Sequence, residues 1–191
     1  RPLLMMKTRS QTRVAIIGAR GIGRHHANWW TREGARVCAF AGTNPQSVAE
    51  TGSMLRDTFG IEAAGYASVG AMLEAEKPDF VDICSPPPLH REHCLVALNA
   101  GCHVLCEKPF IFDPNLDRQR HLALASGLAD LARTRGLLLG VSTQFTVAAH
   151  VFRKHWHDIH GHRAVKSYHG HLDSPARDRG PGPAGIWVDL A

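Results

Sequence analysis

Among the 191 residues there is no CxxC pair, and the five cysteines (Cys38, Cys84, Cys94, Cys102 and Cys106) form an odd set. This argues against a disulfide framework and for a reduced, cytoplasmic setting. Four of the five fall in apolar stretches, where cysteine behaves as a small hydrophobe. No apolar run approaches the roughly 20 residues that cross a bilayer. The opening Arg1-Pro-Leu-Leu-Met-Met is too short and polar-flanked for a secretory signal, and residues 1–12 read as a leader, a tag remnant or a frayed end. A stripe of basic residues interleaved with aromatics is also missing. The net charge is +5 and the pI about 9.2, but Lys and Arg are scattered singly and aromatics make up 7% of the chain. No nucleic-acid or membrane partner is expected, and the mildly basic surface suits a phosphate-bearing cofactor. With 44% hydrophobic residues, the chain can build one full core and a piece of a second.

What is present is a regular alternation of short β-branched runs and helical stretches. Strands are predicted at 13–17, 35–41, 63–66, 80–84, 102–106 and 137–141. Helices are predicted at 21–33, from Pro45 to about Phe59, after Ser68, at 89–100 and at 116–135. Gly34, Gly101 and Gly136 stand where left-handed helix ends are expected. Asn44 and Ser68 stand where side-chain caps are expected, with Pro45 at a first helical position. Strands joined through helices predict βαβ units and an α/β fold with a doubly wound parallel sheet of the Rossmann type over 13–143. Beyond it, 145–160 reads as an amphipathic helix with Val147, Val151 and Trp156 on one face. Then come a strand over 163–172 and a Gly/Pro-rich loop. Residues 144–191 are expected to begin a second, α+β domain for substrate binding or oligomerisation, cut short by the end of the chain.

The first strand runs into Gly18-Ala-Arg-Gly21-Ile-Gly23 at a helix start. Glycines let the backbone approach a diphosphate, and helix N-terminal N–H groups point at its oxygens. The spacing is GxxGxG rather than GxGxxG, with Arg20 at the middle position, either supplying charge near the phosphates or pointing into solvent. An acidic residue is expected at the end of the second strand to hold the ribose hydroxyls, and none is there. The strand ends in Gly42-Thr43-Asn44. With no carboxylate to repel a 2′-phosphate, and with Thr43 and Asn44 able to donate hydrogen bonds, the reading favours NADP slightly over NAD.

Two later segments, Val81-Asp-Ile-Cys-Ser-Pro-Pro-Pro-Leu-His90 and Ala97-Leu-Asn-Ala-Gly-Cys-His-Val-Leu-Cys-Glu-Lys-Pro109, carry more specific information. Together with the glycine turn they resemble the Gfo/Idh/MocA family of glucose-fructose oxidoreductase and inositol dehydrogenase relatives. The resemblance implies that Glu107-Lys108-Pro109 is the family's EKP motif, with Lys108 beside the nicotinamide and the reacting hydroxyl and a Lys-Pro bond that is commonly cis. The residues agree, because a Lys at the carboxyl end of a parallel strand sits where open α/β sheets bind ligands. There it can hydrogen-bond a substrate oxygen or share in proton transfer. Ser85, Pro86 and His90 resemble a TPNxxH stretch that lines the cofactor, with Pro87 replacing the Asn; His90 itself reads as a packing residue more than a catalyst. Gly185-Ile-Trp-Val-Asp189 resembles the opening of a GxxxDxxxH segment, which makes Asp189 a candidate catalytic residue whose partner His would lie beyond Ala191.

The cofactor-binding set is therefore Gly18, Arg20, Gly21, Ile22, Gly23, Gly42, Thr43, Asn44, Ser85, Pro86, His90, Glu107 and Lys108, and the catalytic pair is Lys108 and Asp189. The resemblance implies an NAD(P)-dependent dehydrogenase or reductase acting on a sugar, polyol or related small molecule, and a homo-oligomer. The alternatives are a non-catalytic dinucleotide sensor of the same fold and an inactive fragment; these residues by themselves are expected to bind cofactor without turnover. Seven of the thirteen histidines lie after position 149, and His157 with His160, or His169 with His171, can share a face. No functional metal site is assigned to them, for want of thiols or enough carboxylates. Of Trp29 and Trp30, one is expected to face the core.

Overall fold

The computed structural model describes residues 11–164, the side chains of residues 144–148 excepted. Six short strands are β1 (Arg13–Ile17), β2 (Arg36–Ala41), β3 (Ala64–Tyr66), β4 (Phe80–Ile83), β5 (His103–Cys106) and β6 (Leu139–Val141). All pair in parallel, in the order β3-β2-β1-β4-β5-β6. A sheet of this order reverses direction between β1 and β4 and leaves a crevice at the carboxyl ends of those strands. The expected α/β Rossmann-type fold is what the chain adopts.

The strand sequences carry apolar residues on both faces because both are covered. Val14, Ile16, Val37 and Phe40 pack with Ala27 and Leu55 of α1 (Gly23–Arg32) and α2 (Pro45–Phe59). On the other face Ala15, Ile17, Val81, Ile83, Val104 and Cys106 pack under α3 (Val69–Glu76), α4 (His90–Asn99) and α5 (Arg118–Thr134). Those helices contribute Met72, Leu98 and Leu128. All five cysteines are free, and all but Cys84 are buried.

The helix boundaries follow local chemistry. Asn44 accepts from the Ser47 amide while the Ser47 hydroxyl accepts from the Asn44 amide, a reciprocal cap with Pro45 in the first turn. Ser68 caps α3 and Asp117 caps α5. Several predicted boundaries shift inward. The run at 89–100 opens instead with a 3-10 turn, Pro87–Leu89, before α4; α5 begins after its Asp117 cap; and β6 holds only three residues.

The chain separates into two compact units, Arg1–Val141 and Ser142–Ala191. In the second, α6 (Gln144–His160) ends at Gly161, and the Trp156 indole N–H donates to the Arg163 carbonyl at 2.7 Å. Val151, expected on a packed face, is half exposed there. His157 and His160 engage ring neighbours, His162 and Trp156. The strand expected over 163–172 lies, apart from its first two residues, outside the described residues, as do the loop that follows it and Asp189. No helix among the described residues is long and apolar enough to cross a membrane.

Gly18 and Gly23 are required by the fold itself. Gly18 has φ +88°, and a Cβ there would stand 2.7 Å from the Cys84 carbonyl oxygen. A Cβ on Gly23 would overlap the Gly18 carbonyl. Gly18→Ala is expected to lower unfolding free energy by about 2–4 kcal/mol in urea melts. Gly127→Ala, on α5 with open space around it, is the matched control and should lose nothing.

Candidate functional site

Four strand ends are drawn together by backbone hydrogen bonds: the Gly18 amide donates to Ala41, the Cys84 amide to Ile17 and the Gly42 amide to Tyr66, at 2.8–3.1 Å. The turns beyond them enclose a cleft of about 400 Å³. Gly18, Ala19, Arg20 and Gly21 line it after β1, and Gly42 and Thr43 after β2. Cys84, Ser85 and Pro86 line it after β4, and α2 adds Ser47 and Thr51. The three glycines of the turn divide their roles. Gly18 and Gly23 let chain pass chain, whereas a Cβ on Gly21 would meet nothing within 4 Å. The open space above Gly21 lies at the start of α1. There the Arg24, His25 and His26 amides donate to the Gly21 and Ile22 carbonyls, and the Ile22 and Gly23 amides precede the helical ladder. Ile22 caps that helix and is exposed. A larger, open depression of about 620 Å³ lies at the opposite edge of the sheet, around Lys77, Asp79 and His103, and carries none of the predicted residues.

Around the cleft the predicted residues separate into those that face it and those spent elsewhere. Arg20 stands at the rim, paired with Glu50 of α2 at 3.1 Å. The Thr43 and Ser47 hydroxyls lie 3.3 Å apart. Asn44 is not part of the cleft lining, and its side-chain oxygen caps α2. His90 is buried, with Nδ1 2.9 Å from the Pro109 carbonyl and Nε2 2.7 Å from the Ser85 carbonyl, so that its ring binds two loops to each other. The Ser85 hydroxyl reaches His93 Nδ1 at 2.9 Å, and burial holds the His93 ring below the usual histidine range. Lys108 lies two residues past β5, at the same edge of the sheet and followed by a cis bond to Pro109. It is not part of the lining of this cleft.

A buried polar cluster beneath the cleft is absent from the predicted set. Strand alternation sends Val81 and Ile83 to one face of the sheet and Asp82 to the other, under α1. Asp82 is fully buried, which is costly for a carboxylate without partners. Its Oδ2 lies 2.9 Å from His26 Nδ1 and accepts the Trp30 indole N–H at 2.6 Å. Its Oδ1 accepts from the Cys84 thiol at 3.5 Å. His26 Nε2 in turn lies 3.3 Å from Oε1 of Glu107. His26 and Trp30 are four residues apart and so share one face of α1. Burial opposes charge on the His26 ring, but hydrogen bonds to Asp82, Cys84 and Glu107 outweigh it and push its pKa up to about 12. Burial, the largest effect, also pushes the Cys84 thiol up to about 12. His26, Asp82 and Cys84 place ligating atoms within 4.8 Å of one another. These contacts already satisfy them, and among the described residues no buried side-chain N or O lacks a partner. The signal in the sequence was an Asp inside the apolar run Phe80-Val-Asp-Ile-Cys84, which demands a cation or donors from elsewhere in the chain.

A ring whose folded pKa lies far above its ordinary 6.5 adds stability that is complete below pH 6.5 and declines as pH rises toward about 12. Between pH 6.5 and about 8.5, below the titration of the buried thiols, urea-unfolding free energy should fall by up to about 1.4 kcal/mol per pH unit. A flat profile would show that the buried ring is neutral.

Comparison with known proteins places this geometry. A family model described as "Oxidoreductase family, NAD-binding Rossmann fold" matches residues 12–143. The D-glucoside 3-dehydrogenase of Escherichia coli (strain K12) is 38% identical over 134 residues, 69% of this chain and 34% of that protein. The inositol 2-dehydrogenase of Klebsiella pneumoniae (strain 342) is 31% identical over 99 residues, 51% of this chain and 28% of that one. Thus the chain spans about a third of the length of the curated relatives it matches. Among solved structures, a UDP-N-acetylglucosamine 3-dehydrogenase from Acidithiobacillus ferrooxidans is 29% identical with a TM-score of 0.56, covering 69% of this chain and 38% of that one. The scyllo-inositol dehydrogenase of Lactobacillus casei, solved with NAD(H) and scyllo-inositol, shares the fold at 21% identity and a TM-score of 0.61, covering 78% and 41%. The glycine turn, the parallel sheet and the strand-end Glu107-Lys108-Pro109 together belong to one lineage, and this chain is a member of the Gfo/Idh/MocA oxidoreductase family.

Proposed function

We propose that the protein is an NAD(P)-dependent dehydrogenase that moves hydride between the nicotinamide ring and a hydroxyl-bearing carbon of a sugar or polyol, in a protein that is a homo-oligomer. The observation that carries this reading is the cleft at the strand-order reversal, with Lys108 at the end of a neighbouring strand. The sugar and inositol dehydrogenases among the relatives support the substrate class. The dinucleotide, when bound, supplies the hydride acceptor or donor. In this reading Gly21 leaves room for the diphosphate, and the amides of Ile22 and Gly23 at the start of α1 hydrogen-bond it. Ser85 and Pro86 form the floor, while Thr43 and Ser47 face the adenosine ribose. Lys108 donates a hydrogen bond to the substrate oxygen and polarises it. Asp189 is the second catalytic candidate of this reading, and residues 144–191 begin the part of the protein that selects substrate.

The ribose end favours NADP. Hydroxyl groups and a rim arginine replace the carboxylate that would repel a 2′-phosphate. Arg20 is shared with Glu50, so part of its charge is neutralised there.

Fluorescence titration with NADH and NADPH should show saturable binding of both, with NADPH tighter; failure of both overturns the reading. Gly21→Ala should keep the parent's thermal midpoint while weakening both dinucleotides about tenfold, since its methyl group meets ligand and not protein. Glu50→Gln frees Arg20 and should raise the NADPH-to-NADH affinity ratio several-fold, by roughly 1 kcal/mol or less for an exposed pair. An unchanged ratio would remove Arg20 from the 2′ site.

A further inference from the structure

We propose that His26 is the positioning residue for Lys108. Clamped between Asp82 and Glu107, it fixes the loop after β5 and with it the direction in which Lys108 leaves the sheet. The proposal rests on the reading of Lys108 as the group beside the reacting carbon.

Three elements meet at this one ring. His26 sits three residues after Gly23, in the first turn of α1, and so is tied to the glycine turn. Asp82 belongs to β4, and Glu107 immediately follows β5. The Glu107 amide donates to the Ile83 carbonyl at 2.8 Å, which continues the ladder one residue past the strand. Its carboxylate then meets His26 Nε2 at 3.3 Å, while Nδ1 meets Asp82 at 2.9 Å. A carboxylate accepts and does not donate, so both contacts are hydrogen bonds together only when both ring nitrogens carry protons. The ring is faced from α1 by Trp29, tilted against it with centroids 5.2 Å apart, and by Trp30, which donates to Asp82; from β4 by Asp82 and the Cys84 thiol; and from the β5 loop by Glu107.

Packing alone does not call for such an arrangement, because apolar side chains fill similar space at less cost than a buried ion group. What the charged ring adds is direction. Glu107 is held by its backbone in the ladder and by its side chain on His26, so the next Cα, that of Lys108, is fixed about 3.8 Å further on. The Pro109 carbonyl on the far side of Lys108 is held by His90 at 2.9 Å. Both neighbours of the lysine are thereby anchored.

Two measurements test this. The first is nitrogen-15 NMR of the histidine side chains in the protein without dinucleotide. It should show His26 with two protonated ring nitrogens and protected N–H signals from about pH 6 to 9. A ring with one N–H, titrating in the ordinary range, overturns the proposal whatever the protein binds. The second is a double-mutant cycle read as NADH affinity. Lys108→Ala should weaken NADH about fivefold in the parent but less than about twofold in His26→Gln, because the lysine is already misdirected there. Additive losses overturn the proposal. If His26→Gln does not fold, Glu107→Gln, which cuts only the leg to the loop, takes its place in the cycle. A parent that binds neither NADH nor NADPH overturns the dehydrogenase reading and the positioning role with it, while the NMR result still reports the charge on His26 separately.

Discussion

Asp82 is a carboxylate in the middle of a sheet, with no water to solvate it, and the arrangement of the cleft floor follows from its neutralisation. Its charge calls a histidine and a tryptophan onto the same face of α1, which sets the rotation of that helix over β4. That rotation fixes where the first turn of α1 points, and so where the amides of the glycine turn are aimed. The second nitrogen of the same histidine reaches the residue before Lys108. A buried ion group of this kind is a poor source of stability, yet it specifies one packing of helix on sheet where apolar contacts would tolerate several.

The cleft owes its place to topology and its shape to the absence of side chains. A parallel sheet whose strand order reverses at β1 and β4 must open there. Gly18 brings the first turn against the Cys84 backbone, closer than any Cβ allows, while Gly21 leaves the space above it empty. The result is a concave, amide-lined surface whose recognition elements are mostly backbone. Such a surface suits a diphosphate, and it leaves the side chains of Thr43, Ser47 and Arg20 to set preferences at one end.

Most of the fold was legible in the sequence because its determinants are local. The cap at Asn44 with Pro45, the cap at Ser68 and the glycines ending helices each announce a boundary within a few residues. The strand-end Glu107-Lys108-Pro109 was legible by resemblance. What escaped depends on pairs distant in sequence: His26 with Asp82, and Arg20 with Glu50. Ser47 and Thr51 were missed because a helix face turned toward a cleft looks, in sequence, like any polar face. Asn44 serves its own helix as well, since its side-chain oxygen caps α2. One of Trp29 and Trp30 was expected to face the core; it is Trp30, and its indole N–H also carries one of the bonds to Asp82.

His90 grips the carbonyls of Ser85 and Pro109 with one buried ring. Those two carbonyls belong to different turns, one flooring the cleft and the other closing the lysine motif. A single rigid imidazole between them acts as a tie rod. The floor of the cleft and the turn that follows Lys108 therefore share one support, and a change to that ring alters the footing of both.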